Sequence, residues 1–479
     1  MPTQSKSLGL LSFKRLALIV VAAAVPGCAS VPSHSTGRIE AIVAEEMAKQ
    51  RVPGVAVAVV RRGELILARG FGLANVEHSV PVTTSTIFQT GSLAKQFTAV
   101  AVMLQAEDGK LDLDDSIARY LPDAPATWKA ITVRHLLTHT SGIPDYDART
   151  LDYRKDYTDD ELMQVAFGLP LEFPAGSRWS YSNTGYVLLG AIVRKASGQF
   201  YGDVLRDRVF GPLGMTTARV ISEEDIVMHR AGGCRLAGEA LKNQEWVAPK
   251  LNTTADGSLY LSLQDWLVWE QALRTRVVLR AASWEQVFAP VRLKSGKIYP
   301  YGFAWELHDG QGPAWYRHGG SWQGFDDSLP SSRPMPDLSV IVLSNLAEAN
   351  PMRVARRVAQ IYLPELMRPA TAARAEQDPL VNARVRALLE ATAAGTLRES
   401  EFEFLRVGSF PAFASAYRKL LEELGPVTRI ELLDRWERGD DTVLSFLAVV
   451  GSKPFLVDLS VTPAGRFSTY TLRAEARSE

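Results

Sequence analysis

The stretch T-G-S-L-A-K-Q-F-T-A-V, Thr90 to Val100, decides how the rest of the chain is read. It continues as AVMLQAEDGKL, and Phe97, Val100, Ala101 and Leu104 repeat at helical spacing while Ala99, Val102 and Met103 fill the opposite side. The spacing predicts a helix buried nearly all round and ending near Gly109. A lysine one turn after a serine at the mouth of such a helix has a chemical reading. Residues i and i+3 share a helix face, so Lys95 can reach the Ser92 hydroxyl. The unpaired N–H groups and dipole of a helix N-terminus favour negative charge developing there. Apolar surroundings disfavour the ammonium form, and a neutral amine can accept the serine proton. Taken alone, S-x-x-K is equally explained by a capping serine and a lysine reaching out to solvent.

Two further elements give the pair a context. Tyr181-Ser182-Asn183 precedes the apolar run TGYVLLGAIV. In an extended loop Tyr181 and Asn183 project to one side, where a phenol can relay a proton beside Lys95 and an amide can hold a substrate carbonyl. By itself the tripeptide is a turn with a capping residue. In WYRHGGSWQGF, His318 ends a strand-like run, and Gly319 and Gly320 allow close approach of backbone to a ligand. Alone, that element is a glycine-rich hairpin corner.

With S-x-x-K, Y-S-N and H-G-G in this order, the sequence resembles the serine β-lactamase and penicillin-binding-protein superfamily, whose S-x-x-K motif is well known. The likeness is to the branch holding class C β-lactamases, D-alanyl-D-alanine carboxypeptidases, D-aminopeptidases and related esterases. VPGVAVAVVRRGE, ITVRHLLTHTSGIPDY, FPAGSRWSYSNTGYVLLG, VFGPLGMTTA, YGFAWEL and SVIVLSN carry it further, over residues 38–367. The resemblance implies Ser92 as nucleophile, Lys95 as its activating partner and Tyr181 as the proton relay to the leaving group. It implies that Asn183 orients the substrate, that Gly320 matches the K-T-G glycine, and that the N–H groups of Ser92 and Ser321 form the oxyanion hole. His318 stands where many relatives carry a lysine, and Gly319 replaces the threonine; several peptidase and esterase relatives carry H-x-G. Both changes remove groups that would hold a β-lactam carboxylate.

The expected activity is therefore that of a serine hydrolase acting through an acyl-enzyme on D-amino-acid peptides, amides or small esters, without a cofactor or metal. The alternatives are a β-lactamase or D-alanyl-D-alanine carboxypeptidase that recognises penicillins, and a non-catalytic envelope receptor. His135 and His139 share a helix face as in H-E-x-x-H zinc sites, but Leu136 stands where the glutamate would be and no third ligand stands out, so they read as structural.

The chain has 479 residues, 46% hydrophobic and 22% charged, with 53 basic and 53 acidic side chains. This is a globular composition of two or three domains with no basic stripe for nucleic acid. Lys14 and Arg15 precede the apolar LALIVVAAAV and then VPGC, which predicts an export signal over residues 1–29. A small residue before Cys28 resembles a bacterial lipobox, making a lipid anchor the membrane contact and the periplasm the location; ordinary cleavage near Ala22–Ala24 or past Cys28 gives a soluble exported protein instead. Cys234 reads as a buried structural thiol. A linker is expected over 30–37, and a β-lactamase-like domain over 38–368, with an antiparallel sheet flanked by helices and a mostly helical subdomain. A second linker over 369–376 leads to a small α+β domain over 377–479, where two helices precede four strands separated by ERGDD, GSKP and TPAG. That domain carries no motif of its own. It reads as a cap on the cleft, a docking surface for an envelope partner, or a stabiliser of the catalytic domain.

Overall fold

The computed structural model describes residues 33–147, 150–221, 224–308, 315–332, 337–364, 378–405 and 409–474. The signal segment with Cys28 and the linker expected over 369–376 lie outside the described residues. Residues 33–37, expected as linker, instead begin helix α1 (Ser33–Gln50). No proline interrupts this stretch, and Ser35 and Thr36 suit a first helical turn.

Strands β1 (Gly54–Arg61) and β2 (Glu64–Asn75) form a hairpin closed by Arg62 and Gly63, both at positive φ. With β3 (Val80–Pro81), β4 (Glu306–His308), β5 (Trp315–Trp322), β6 (Phe325–Ser332) and β7 (Leu338–Ser344) they make one antiparallel sheet in the order β4-β5-β6-β7-β1-β2-β3. The sheet thus joins both ends of the domain, and the intervening chain is largely helical. The fold is α/β, an antiparallel sheet flanked by helices with a largely helical part between its strands, as the sequence predicts.

The centre of the sheet is buried on both faces. Strand β1 pairs with β7 from Val55 opposite Ser344 to Arg61 opposite Leu338. Ala56, Ala58, Ile341 and Leu343 pack into the main core together with Phe97, Val100 and Leu104. Val55, Val57, Val59, Val340 and Val342 pack on the other side with Ile39 and Val43 of α1 and Val354 and Val358 of the helix Pro351–Ala359. Both faces need apolar side chains, so the strands read as continuous hydrophobic runs rather than alternating ones. Burial of each valine contributes about 1.5–3 kcal/mol before entropy is counted.

Helix α2 (Lys95–Glu107) is buried from Lys95 to Gln105, Lys95 included. One 3-10 turn, Gly91–Ala94, precedes it. Helix α3 (Asn183–Ser197) packs against α2, is capped by the Ser182 side chain accepting from the Gly185 N–H, and ends at Gly198 in the left-handed conformation. His135 and His139 do not share a helix face as expected: the helix Val133–Leu137 carries His135 and ends before His139, which takes a φ of 55°.

The C-terminal part has helices Pro379–Ala394 and Phe410–Leu421 on a meander of β8 (Val427–Arg438), β9 (Asp441–Val450), β10 (Lys453–Val461) and β11 (Phe467–Ala474). Its own core gathers Leu389, Phe446, Val457 and Leu459.

Candidate active site

The turn Gly91–Ala94 presents Ser92 where strand β5 crosses it. The crossing is tight enough to exclude side chains from two positions. A Cβ on Gly320 would lie 2.0 Å from the Thr90 carbonyl oxygen and 3.0 Å from Ser92 N, and one on Gly91, whose φ is +49°, would lie 2.6 Å from Ser321 N. Two facing glycines therefore bring the backbone at Ser92 and the backbone at Ser321 close together, the approach that an oxyanion hole built from their N–H groups would need.

Lys95 is fully buried and makes three hydrogen bonds. Its Nζ lies 3.0 Å from Ser92 Oγ, 2.7 Å from Asn183 Oδ1 and 2.6 Å from the Asp256 carbonyl oxygen. Burial lowers its pKa to about 8, against the pull of the Asp256 and Asp145 carboxylates, which favour the ammonium. The latter two partners are acceptors only, so a neutral amine gives them its two N–H groups and its lone pair is left facing Ser92.

Asn183 does not act alone. Asp145 Oδ1 accepts from its backbone N–H at 2.7 Å, and Asp145 Oδ2 accepts from its side-chain amide at 3.1 Å. The amide expected to face substrate thus has one N–H committed to Asp145 and carries a second. The carboxylate also fixes which end of the side chain faces Lys95. Asp256, whose carbonyl takes the other Lys95 hydrogen, is held by the Tyr146 hydroxyl at 2.5 Å.

Tyr181 packs its ring 5.0 Å from Lys95 Nζ and 4.3 Å from the His139 ring. Burial drives the phenol pKa far above its ordinary value, while a hydrogen bond with Ser92 pulls it back. Tyr181 is therefore a neutral phenol next to Ser92, suited to passing a proton on.

His318 differs from the reading of it as a substrate-binding group. Its Nδ1 lies 2.6 Å from the Gly319 carbonyl oxygen and its Nε2 3.0 Å from the Tyr301 hydroxyl. Tyr301 also meets His139 Nε2 at 3.2 Å, and His139 Nδ1 accepts from the Ser182 N–H at 3.1 Å. These contacts assign the protons. His139 donates from Nε2 to Tyr301, Tyr301 donates to His318 Nε2, and His318 donates from Nδ1 to Gly319. Burial lowers the His318 pKa to about 4, outweighing the opposing Glu306 charge. The ring is neutral and both nitrogens are spent inside the protein, so it offers no cation to a carboxylate.

Of the residues singled out from sequence, Ser92, Lys95, Tyr181, Asn183, His318, Gly320 and Ser321 come together here. His135 stands apart: its Nδ1 accepts from the Thr132 N–H in a helix capping box. Asp145, Asp256, Tyr301 and the site role of His139 were missed. Asp145 and His139 lie within the HLLTHTSGIPDY landmark, but nothing in its spacing marks them as partners of Asn183 and Tyr301.

A family model described as Beta-lactamase matches residues 39–363. The chain is 32% identical over 293 residues to a penicillin-binding protein of Bacillus subtilis (strain 168), covering 57% of this chain and 64% of the relative. It is 30% identical over 359 residues to a D-aminopeptidase of Gluconobacter oxydans (strain 621H), covering 72% of this chain and 65% of the relative. The aligned parts thus span just under two thirds of these relatives' length. Among solved structures, the octameric penicillin-binding protein homologue from Pyrococcus abyssi aligns with a TM-score of 0.62 at 23% identity, over 92% of this chain and 96% of that one. The D-amino acid amidase from Ochrobactrum anthropi SV3, complexed with L-phenylalanine amide, aligns with a TM-score of 0.59 at 24% identity, over 69% of this chain and 99% of that one. At those identities the structures show the fold.

Proposed function

Because the chain belongs to the beta-lactamase family of serine hydrolases, we propose that it hydrolyses D-amino-acid peptides, amides or small esters through an acyl-enzyme on Ser92. The observation that carries this is the fixed pair of acceptors, Asn183 Oδ1 and the Asp256 carbonyl, which turns the Lys95 lone pair toward Ser92 Oγ. Lys95 takes the hydroxyl proton as Oγ bonds to the substrate carbonyl carbon, and the N–H groups of Ser92 and Ser321 hold the oxyanion. As the bond to the leaving nitrogen or oxygen breaks, Tyr181 hands its proton to that atom and is reprotonated from Lys95. Water then attacks the ester, giving a proton to the same relay, and the acid leaves as Ser92 Oγ regains its hydrogen.

The substrate class follows from the likeness to the D-aminopeptidase and from the neutral His318. Acylation by penicillins is a second reading, favoured by the likeness to the penicillin-binding protein; the spent nitrogens of His318 argue against rapid turnover of that carboxylate. Export, and lipid anchoring through Cys28, belong to the same proposal and rest on the LALIVVAAAV and VPGC segments. A panel of D- and L-aminoacyl amides, short-chain esters and a penicillin, assayed on the wild type and Ser92→Ala, tests the reading. Ser92-dependent turnover with D over L preference is expected. Turnover that survives Ser92→Ala, or its absence from the whole panel, overturns it.

A further inference from the structure

A cavity of about 220 Å³ lies between the catalytic domain and the turn joining β8 to β9. One wall contains Arg178, Trp179 and Tyr181; the other contains Arg438 and Asp441. The turn is seated firmly. Arg178 donates to both carboxylate oxygens of Asp441, at 3.1 and 2.7 Å, and this pair is only 17% and 10% exposed. The Gly439 N–H donates to the Ile298 carbonyl at 2.9 Å, and Lys297 pairs with Glu437 at 2.6 Å. Gly439 is at φ +62° and packs where a Cβ would meet Leu293 at 2.9 Å, so the backbone itself is in contact.

Arg438 is thereby fixed at the cavity. It hydrogen-bonds the hydroxyl of Tyr299, whose ring stacks on Trp179 at 4.5 Å and 9°. Of the carboxylates on this wall, Asp441 is paired with Arg178, and Asp440, which also lines the cavity, lies in the field of Lys297, itself paired with Glu437. Among the described residues Arg438 makes no ion pair with a carboxylate. A guanidinium fork without an anion, in the cavity that Tyr181 lines, is matched by a carboxylate. Tyr181 lines this cavity with its ring while its hydroxyl is buried beside Ser92, and in the mechanism proposed above that hydroxyl protonates the leaving atom, which puts the cavity on the departing side.

We propose that Arg438 binds the free carboxylate of the departing amino acid or peptide, which makes the C-terminal domain a wall of the active site and a determinant of specificity. This rests on the Ser92 hydrolase reading. It also assigns to the second domain the cation that His318 does not supply.

The test is calorimetry on the full chain carrying Ser92→Ala, with D-alanyl-D-alanine and its C-terminal amide as probes. Binding of the dipeptide about tenfold or more tighter than its amide is expected from a charge-assisted pair. Adding R438M should bring the two probes to similar affinity, whereas R438K, which keeps the charge and loses the fork, should retain part of the preference. A preference that persists in R438M, its absence in the parent, or no binding of either probe overturns the proposal. Hydrolysis of the same dipeptide by the Ser92 protein separates the two ideas. Turnover with an unchanged preference in R438M sinks the Arg438 assignment alone, whereas a preference lost in R438M with no Ser92-dependent turnover across the amide, ester and dipeptide panel leaves Arg438 a carboxylate site and sinks the hydrolase reading on which its departing-group role rests.

Discussion

Asp145 grips Asn183 at both its backbone and its side-chain nitrogen, and so leaves the Asn183 carbonyl no direction but toward Lys95. The grip spans 38 positions of sequence. It ties an outer carboxylate to the protonation state of Lys95.

Replacing that carboxylate separates orientation from charge. Asp145→Asn puts an amide group against the Asn183 nitrogens, and it also removes a negative charge that favours Lys95 ammonium. A hydrogen bond to a charged group contributes about 1.5–3 kcal/mol, so kcat/KM should fall about ten- to a hundredfold. The ascending limb of the pH–rate profile, set by Lys95, should also move to lower pH. Loss of rate with an unmoved limb would mean that Asp145 acts on structure alone.

The pH dependence of the parent follows from Lys95. With a folded pKa near 8 and an ordinary value of 10.5, kcat/KM should rise through a single ionisation near pH 8 as the amine loses its proton. The same shift makes the unfolded chain bind the extra proton between about pH 8 and 10.5, so this group contributes stability that grows over that interval and is absent below it. Urea melts of the parent and Lys95→Met, compared across that range, read the contribution. Parallel stability profiles would contradict it.

The two glycines of the β5–H-G-G element should respond differently to a methyl group. Gly320→Ala pushes a Cβ into the Thr90 carbonyl, moves Ser321 N from Ser92 N, and should lower kcat about a hundredfold or more with a smaller change in KM. Gly319→Ala meets only the Asp327 carbonyl at 3.7 Å and should stay within about threefold of the parent. Steady-state kinetics of the pair check this. Equal losses would remove the argument from close approach.

The chain from His139 through Tyr301 to His318 predicts a stability effect. Tyr301→Phe deletes the hydroxyl and leaves two buried ring nitrogens without their partner, at a cost of about 1–3 kcal/mol for each group left unsatisfied. His318, neutral in the fold with a pKa near 4, also contributes stability that is lost as pH falls from about 6.5 toward 4, because the unfolded chain takes up the proton first. Denaturant midpoints at pH 7 and pH 5 measure both. An unchanged midpoint in Tyr301→Phe would show the chain to be incidental.

Sequence made some of this legible for definable reasons. Strand β1 and helix α2 are buried on all sides, so their apolar runs stand out, and Ser92 and Lys95 meet because they are one turn apart on one element. Gly320 was visible as a glycine, although its reason, the Thr90 carbonyl, was not. Asp145, Tyr301 and Arg438 act through contacts between distant segments, and no local period records them. The Tyr301 link to His139, for example, spans 162 positions. Residues 33–37 misled because a polar composition suits both a linker and a first helical turn.

The most direct measurement is the mass of the protein itself, acid-quenched during turnover of a p-nitrophenyl ester and then digested. The account predicts one added acyl group on the peptide bearing Ser92 in the wild type, together with p-nitrophenol release, and neither in Ser92→Ala. Undiminished release by Ser92→Ala, or an acyl group carried by a different residue during turnover, would contradict it.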